Sequence, residues 1–420
     1  MSATHWTWLL IAVATSAVIL RPWRLPEALW AVAGALALVV LQLLAPAQAW
    51  AGVRRGDDVY LFLAGMMLLS ELARREGVFD WLAALAARRA AGSGQRLFGW
   101  VYAVGTLVTV FLSNDATAVV LTPAVFAVAR VVGAAPLPYL FVCAFIANAA
   151  SFVLPISNPA NLVLWGRHMP SLAQWLALFA LPSVASIGVT YAVLRWALRH
   201  DIPLQIAARV PAQPLTAGGR LAAGGLAASV LVLVVCAWLR VPLGWPTLGA
   251  ALLTLGLLRL GCGRAPWGPL RAVSWSVLPL VAGLFVFVQA LELTGVVGLL
   301  AAALQHATLL WPHSAGTVLG AVLGLATNLV NNLPAGLLAG AALDAADAAP
   351  ALRAAALIGV DLGPNLSVTG SLATILWLAA LQREGVSVGS WQFLKLGALV
   401  MPPALLAALG TLQLVQWLWV

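Results

Sequence analysis

Between Phe111 and Pro123 the chain reads FLSNDATAVVLTP, which sets Ser113, Asn114, Asp115 and Thr117 in an apolar neighbourhood. These residue types offer a carboxyl able to carry a proton, with an amide and hydroxyls that donate and accept hydrogen bonds. Apolar sequence runs from Leu97 to Val110 before the stretch and from Ala124 to Val132 after it. Asp115 therefore falls at hydrocarbon depth, where a carboxylate costs roughly 2.5–3.5 kcal/mol and marks a functional site by default. Three more segments carry similar chemistry. LPISNPAN (154–161) places Asn158 and Asn161 among two prolines, just after Asn148 and Ser151. ATNLVNNLPAG (326–336) holds Asn331 and Asn332, and DLGPNLSVTGS (361–371) opens on Asp361 and closes on Thr369, Gly370 and Ser371.

Proline removes an N–H and blocks helix continuation, so such breaks free carbonyls as further ligands. Broken backbone is tolerated at membrane depth only where it is buried in protein or lines a wet cavity. The Asn, Ser and Thr residues are accordingly the candidate binding groups, and Asp115 and Asp361 the candidate proton carriers, since burial disfavours a charged carboxyl. No Lys or Arg lies in the four segments, which disfavours a site that pairs a dicarboxylate with a buried cation. Backbone N–H groups and helix N-termini can nevertheless hold carboxylates. Each residue also has a purely structural alternative. Asn114 and Asn332 can cap helices, Asp115 can be satisfied by Ser113 or Thr117, and Asp361 can cap a half-helix. Asn148, Ser151, Asn158 and Asn161 can simply serve the broken backbone.

The elements that position these residues follow from composition. With 63% hydrophobic and 8% charged residues over 420 positions, the chain is a polytopic, all-α membrane protein. Its 22 Lys and Arg sit singly or in pairs between apolar runs, which is loop charge and excludes a nucleic-acid patch. Nineteen Trp suit the interfacial belts of a bilayer. Cys143, Cys236 and Cys262 show no metal or disulfide spacing, and neither metal nor cofactor is implied. The first residues lack the basic region of a signal peptide, so the first span is expected to be retained.

Residues 1–58 are read as scaffold, with spans near 7–20 and 27–49 around a basic turn at Arg21 and Arg24. Residues 59–197 form a first repeat: a span near 59–73, an interfacial amphipathic helix over 78–91, a hairpin over 97–130, a broken span over 138–168 and a span near 172–197. The two apolar arms of the hairpin, about sixteen residues each, are short for spans of about 20 residues, so it is expected to be re-entrant. Arg96 and Arg130 place both its ends on the cytoplasmic side. A basic linker, 198–220 with Arg199, Arg209 and Arg220, leads to scaffold spans over 221–271 and a basic loop with Arg259, Arg264 and Arg271.

The pattern then recurs over 272–420. LAGMMLLSELARREGVFDWLAAL (63–85) aligns without gaps to VAGLFVFVQALELTGVVGLLAAA (281–303), and ISNPANLVLW (156–165) to VTGSLATILW (368–377). A second hairpin over 314–343, free of Lys and Arg, is expected to enter from outside, followed by a broken span over 356–381 and a last span near 393–417. Two repeats of inverted topology, each with a hairpin and a broken helix, make about ten transmembrane helices plus two re-entrant hairpins. That is the layout of a secondary transporter with its site near the midplane.

FLSNDATAVVLTP, ANAASFVLPISNPAN, NLVNNLP and DLGPNLSVTGSLATILWL resemble the arsenical pump membrane proteins (the ArsB type) of the ion transporter superfamily, which also holds dicarboxylate and sodium/proton antiporters. The resemblance runs from about Leu25 to Gly397. It implies proton-driven efflux of arsenite and antimonite across a bacterial inner membrane, in some cases with a cytosolic ATPase subunit as partner. Members of the family often have Lys after DLGP, where this chain has Asn365. A sodium/proton antiporter or an anion symporter is the alternative on the same scaffold. An intramembrane hydrolase using Asp115 and Asp361 lacks any accompanying Ser-His or metal constellation.

Overall fold

The computed structural model describes residues 2–208, 214–263 and 267–419. Arg209 of the linker and Arg264 of the basic loop lie outside the described residues, as does the side chain of Arg24. Among the described residues there are helices and connecting turns but no strand.

The chain begins with α1 (Ala3–Leu20) and α2 (Glu27–Val40). The span expected over 27–49 is not continuous: α2 stops at Val40, Gln42 takes φ 58°, and α3 (Pro46–Arg54) starts afresh on a proline. A mostly apolar run, broken only by Gln42 and Gln48, hid that turn, which backbone geometry at Gln42 and Pro46 makes. Next come α4 (Asp57–Arg75) and α5 (Val78–Ala90). The apolar face of α5, including Val78, Phe79, Ala83 and Ala87, is buried against protein, with α6 (Gly94–Phe111) and α7 (Thr122–Val131) beside it. A π-helical turn, Ala116–Leu121, joins the tip after α6 to α7. The first broken span is α8 (Leu137–Ala149), a break, and α9 (Pro159–Trp165). The half ends with α10 (Leu172–Ala197), at the bounds expected for it.

The second half follows the same order. It comprises α11 (Ala217–Trp238), α12 (Gly244–Cys262), α13 (Trp267–Ala272), α14 (Val277–Leu293) and α15 (Val296–Leu310). The hairpin arms α16 (Ala315–Val330) and α17 (Asn332–Ala345) meet at Asn331, whose φ of 71° turns the chain. Then α18 (Pro350–Leu362), a break and α19 (Leu372–Arg383) form the second broken span, and α20 (Ser390–Trp419) closes the chain.

Packing between the halves is reciprocal: α2 lies on α14 and α12 on α4, α17 lies on α9, and the π turn lies on α19. The long helices α10 and α20 pack on one another. At the centre are α8 and α18, buried over Pro138–Ala149 and Arg353–Leu362. Outer helices bury only a stripe and present large apolar side chains such as Val13, Leu231, Leu253 and Trp238 outward, as lipid contact requires. Among the described residues five helices, α1, α10, α11, α12 and α20, are each long and apolar enough to cross a membrane; α14 and α15 qualify together, bent by 73°. The apolar helices α2, α8, α16 and α19 are shorter.

Candidate functional site

The two broken spans meet through side chains far apart in sequence. Asn148 and Ser151 stand where α8 ends, Asp361 is the penultimate residue of α18, and Asn365 follows one turn later. Asn148 Nδ2 donates to Asn365 Oδ1 at 2.9 Å, and Asn365 Nδ2 donates to the Phe145 carbonyl at 3.0 Å. Ser151 Oγ lies 2.7 Å from Asp361 Oδ2, while Asn158 Nδ2 donates to Asp361 Oδ1 at 2.8 Å. All five residues are buried, and no Lys or Arg among the described residues is bonded to them. A carboxyl in such a place has only neutral hydrogen-bond partners, which makes its ionised form expensive to enclose. Asp361 does not cap the following half-helix, as one structural alternative would have it; Ser371 does so by accepting from the Thr374 amide.

The break after α8 is held by Asn161, whose Nδ2 reaches the carbonyls of Ser151, Leu154 and Pro155 at 2.9, 3.1 and 3.3 Å. Asn158 doubles as N-cap of α9, accepting from the Ala160 amide. Asn148 and Asn161 each keep a buried Oδ1 without a partner among the described residues.

At the first tip, Asn114 Oδ1 accepts from the Asp115 amide and Ser113 Oγ from the Ala116 amide, so both serve local backbone. Thr117 pairs with Thr109 at 2.8 Å. The Asp115 side chain is half-buried and neither Ser113 nor Thr117 satisfies it; no hydrogen bond to its carboxyl is found among the described residues. Ser157 ties this hairpin to the first break by donating to the Val110 carbonyl at 2.9 Å.

The second tip closes on its own broken span. Asn332 N–H donates to the Gly370 carbonyl at 2.9 Å, and Asn331 Nδ2 to the Thr369 carbonyl at 3.3 Å. Asn331, not Asn332, supplies the cap of α17. Thr369 Oγ1 donates to the Asn328 carbonyl and Ser367 Oγ to Asn328 Oδ1. Ser371 pairs with Thr374.

The structure thus brings Asn148, Ser151, Asn158 and Asp361 into one cluster, keeps Asn331, Asn332, Thr369 and Gly370 in another, and leaves Asp115 apart. Asn365 and Asn328 complete these clusters and were not among the candidate ligands. Asn365 stood out only as a departure from a family pattern, while Asn328 lay inside the NLVNN segment. A cavity of about 1610 Å³ opens beside α9 and α17, lined by Leu162, Val163, Leu337 and Gly340, with Arg240 and Asp344 also on its wall. None of the five central residues lines it.

A family model described as citrate transporter matches residues 8–359. The arsenical pump membrane protein of Escherichia coli (strain K12) is 26% identical over 365 residues, 83% of this chain and 84% of that one. The protein of the same name from Yersinia enterocolitica is 26% identical over 363 residues, again 83% and 84%. An uncharacterised transporter of Mycobacterium tuberculosis (strain ATCC 25618 / H37Rv) is 28% identical over 391 residues, covering 90% of this chain and 91% of that one. Among solved structures, the YdaH transporter of Alcanivorax borkumensis superposes with a TM-score of 0.54 at 16% identity, over 88% of each chain. That likeness concerns the fold alone.

Proposed function

The chain belongs to the citrate transporter family, whose members are membrane carriers and not enzymes, and from that premise we propose that it exports trivalent arsenic or antimony. The cargo would be the neutral hydroxide, moved outward across a bacterial inner membrane in exchange for protons. The observation that carries this is the chemistry of the central junction: one carboxyl, three amides and one hydroxyl, with no cation bonded to them among the described residues. Arsenite near neutral pH is mostly an uncharged triol, which needs donors and acceptors but no fixed counter-charge. The relatives named arsenical pump membrane proteins support the same cargo.

In this scheme the two halves have inverted topology, giving about ten spans and two re-entrant hairpins. The hairpin over 97–130 enters from the cytoplasm and that over 314–343 from outside, so the 1610 Å³ cavity is an outer vestibule. Each hairpin and its broken span move together against the scaffold, exposing the junction to one side at a time. Asp361, Asp115 or both accept a proton facing outward and release it inward. Ser113, Asn114, Thr117, Asn148, Ser151, Asn158, Asn161, Asn331, Asn332, Thr369, Gly370 and Ser371 supply the polar lining. The scheme leaves room for a cytosolic ATPase subunit as an additional partner.

The family's description as citrate transporters favours a second reading, symport of an organic anion, in which the N-terminus of α19 would hold a carboxylate. Everted membrane vesicles separate the two. Uptake of trivalent arsenic that needs the proton gradient and ignores sodium supports efflux. Citrate uptake without arsenic uptake, from folded protein, would replace it with the second.

A further inference from the structure

Ser151 Oγ sits 2.7 Å from the Asn148 carbonyl oxygen and 2.7 Å from Asp361 Oδ2. A hydroxyl carries one proton, so it can donate to only one of these two oxygens. Two oxygens held at that distance with no proton between them repel. Both contacts are therefore hydrogen bonds only when Asp361 brings a proton of its own. The chain then runs from the protonated Oδ2 of Asp361 to Ser151 Oγ, and from the Ser151 hydroxyl to the Asn148 carbonyl. The other carboxyl oxygen, Oδ1, accepts from Asn158 Nδ2 at 2.8 Å, as the carbonyl oxygen of a neutral acid would.

Resting on the reading of Asp361 as a proton carrier, we infer that Ser151 is the positioning residue that ties the proton on Asp361 to closure of the two broken spans. When the proton leaves, the Ser151 hydroxyl turns to the carboxylate and abandons the Asn148 carbonyl. That carbonyl is left with backbone amides near the helix end, those of Ala150 and, at 3.3 Å, Ser151. The carboxylate meanwhile has only neutral donors around it. The elements packed on α18 carry Tyr139 and Cys143 (α8), Tyr191 and Arg195 (α10), Asp344 (α17) and Lys395 (α20), and none of these is bonded to Asp361. No titratable residue occurs in α9 or α16, and Arg353 of α18 itself is turned to Asp344 and the carbonyls of Leu343 and Ala348. An ionised Asp361 thus has no counter-charge bonded to it among the described residues, and the junction closes with the proton aboard. This assigns to the Ser151 hydroxyl a task beyond lining the site: it couples the protonation state to the α8 end.

Infrared difference spectroscopy on the purified full-length protein in lipid tests this without any transport step. At neutral pH the wild type should show a hydrogen-bonded, protonated carboxyl band. Asp361→Asn should remove it and Asp115→Asn should leave the Asp361 band in place. Ser151→Ala should shift the band, and Ser151→Thr, which keeps the hydroxyl, should bring it back. Should Asp361→Asn fail to fold, the shift in Ser151→Ala and its recovery in Ser151→Thr still decide the matter. Absence of any protonated carboxyl band at neutral pH, or a band that Ser151→Ala does not move, would overturn the inference. Failure of arsenic export with the band behaving as described would instead reject only the proposed cargo.

Discussion

Replacing Gly359 by Ala should loosen the second hairpin from the second broken span. In α16, Gly316, Gly320 and Gly324 recur every four residues, and they face Ala355, Gly359 and Gly363 of the α18 segment. Small residues at that spacing let helix backbones touch in a membrane, where packing and not hydrophobicity drives association. A Cβ on Gly359 would lie 2.1 Å from the Gly320 carbonyl oxygen. Ordinary contact therefore requires the two helices to separate by about 1 Å or more. Overpacking of that kind costs about 1–3 kcal/mol, against a gain of about 1 kcal/mol from replacing a helical Gly by Ala. The net expectation is a loss of up to about 2 kcal/mol, and a stability about 1–3 kcal/mol below that of a variant with the same propensity gain and no clash. Gly336→Ala is the control, because its Cβ meets only Val360 Cγ1 at 3.5 Å and it keeps the propensity gain. Denaturation of both variants in the same lipid–detergent mixture reads the difference directly. A Gly359→Ala protein as stable as the Gly336→Ala protein would refute the close packing of α16 on α18.

Asn161→Leu should destabilise by about 1–2 kcal/mol: three carbonyls of the break lose their shared donor, partly offset by removal of the unpaired Asn161 Oδ1. Equilibrium unfolding checks this, and unchanged stability would show that another donor takes over. Asp115→Asn should abolish gradient-driven export yet leave stability within about 0.5 kcal/mol, since its carboxyl has no hydrogen-bond partner among the described residues to lose. Export at the normal rate in that variant would remove Asp115 from the coupling role.

Much of the fold was legible wherever local chemistry marks a backbone event. The prolines of LPISNPAN and DLGPN announced the breaks that end α8 and α18, and α10 begins just after Ser171, whose side chain caps it. Asn148, Ser151, Asn158 and Asp361 stood out one by one as polar residues at breaks, but their pairing with one another and with Asn365 did not. Asn148 and Asn365 are 217 residues apart, and Ser151 and Asp361 210 apart, so no local spacing could join them. The structure also gives Asp361 and Asp115 different surroundings: the first has two side-chain partners, while the second is half-buried with none found. Both looked alike in sequence, as single acids in apolar runs. The burial of α5 escaped notice for a related reason, because apolar residues do not declare whether lipid or protein will cover them.

The most direct measurement is the pH inside liposomes that contain the purified protein when arsenite is added outside. Antiport predicts that arsenite enters as protons leave, so the lumen should turn alkaline, saturably, and Asp361→Asn should suppress the change. Arsenite entry through the protein with no change in lumen pH would contradict proton exchange. A response to citrate alone would contradict the cargo.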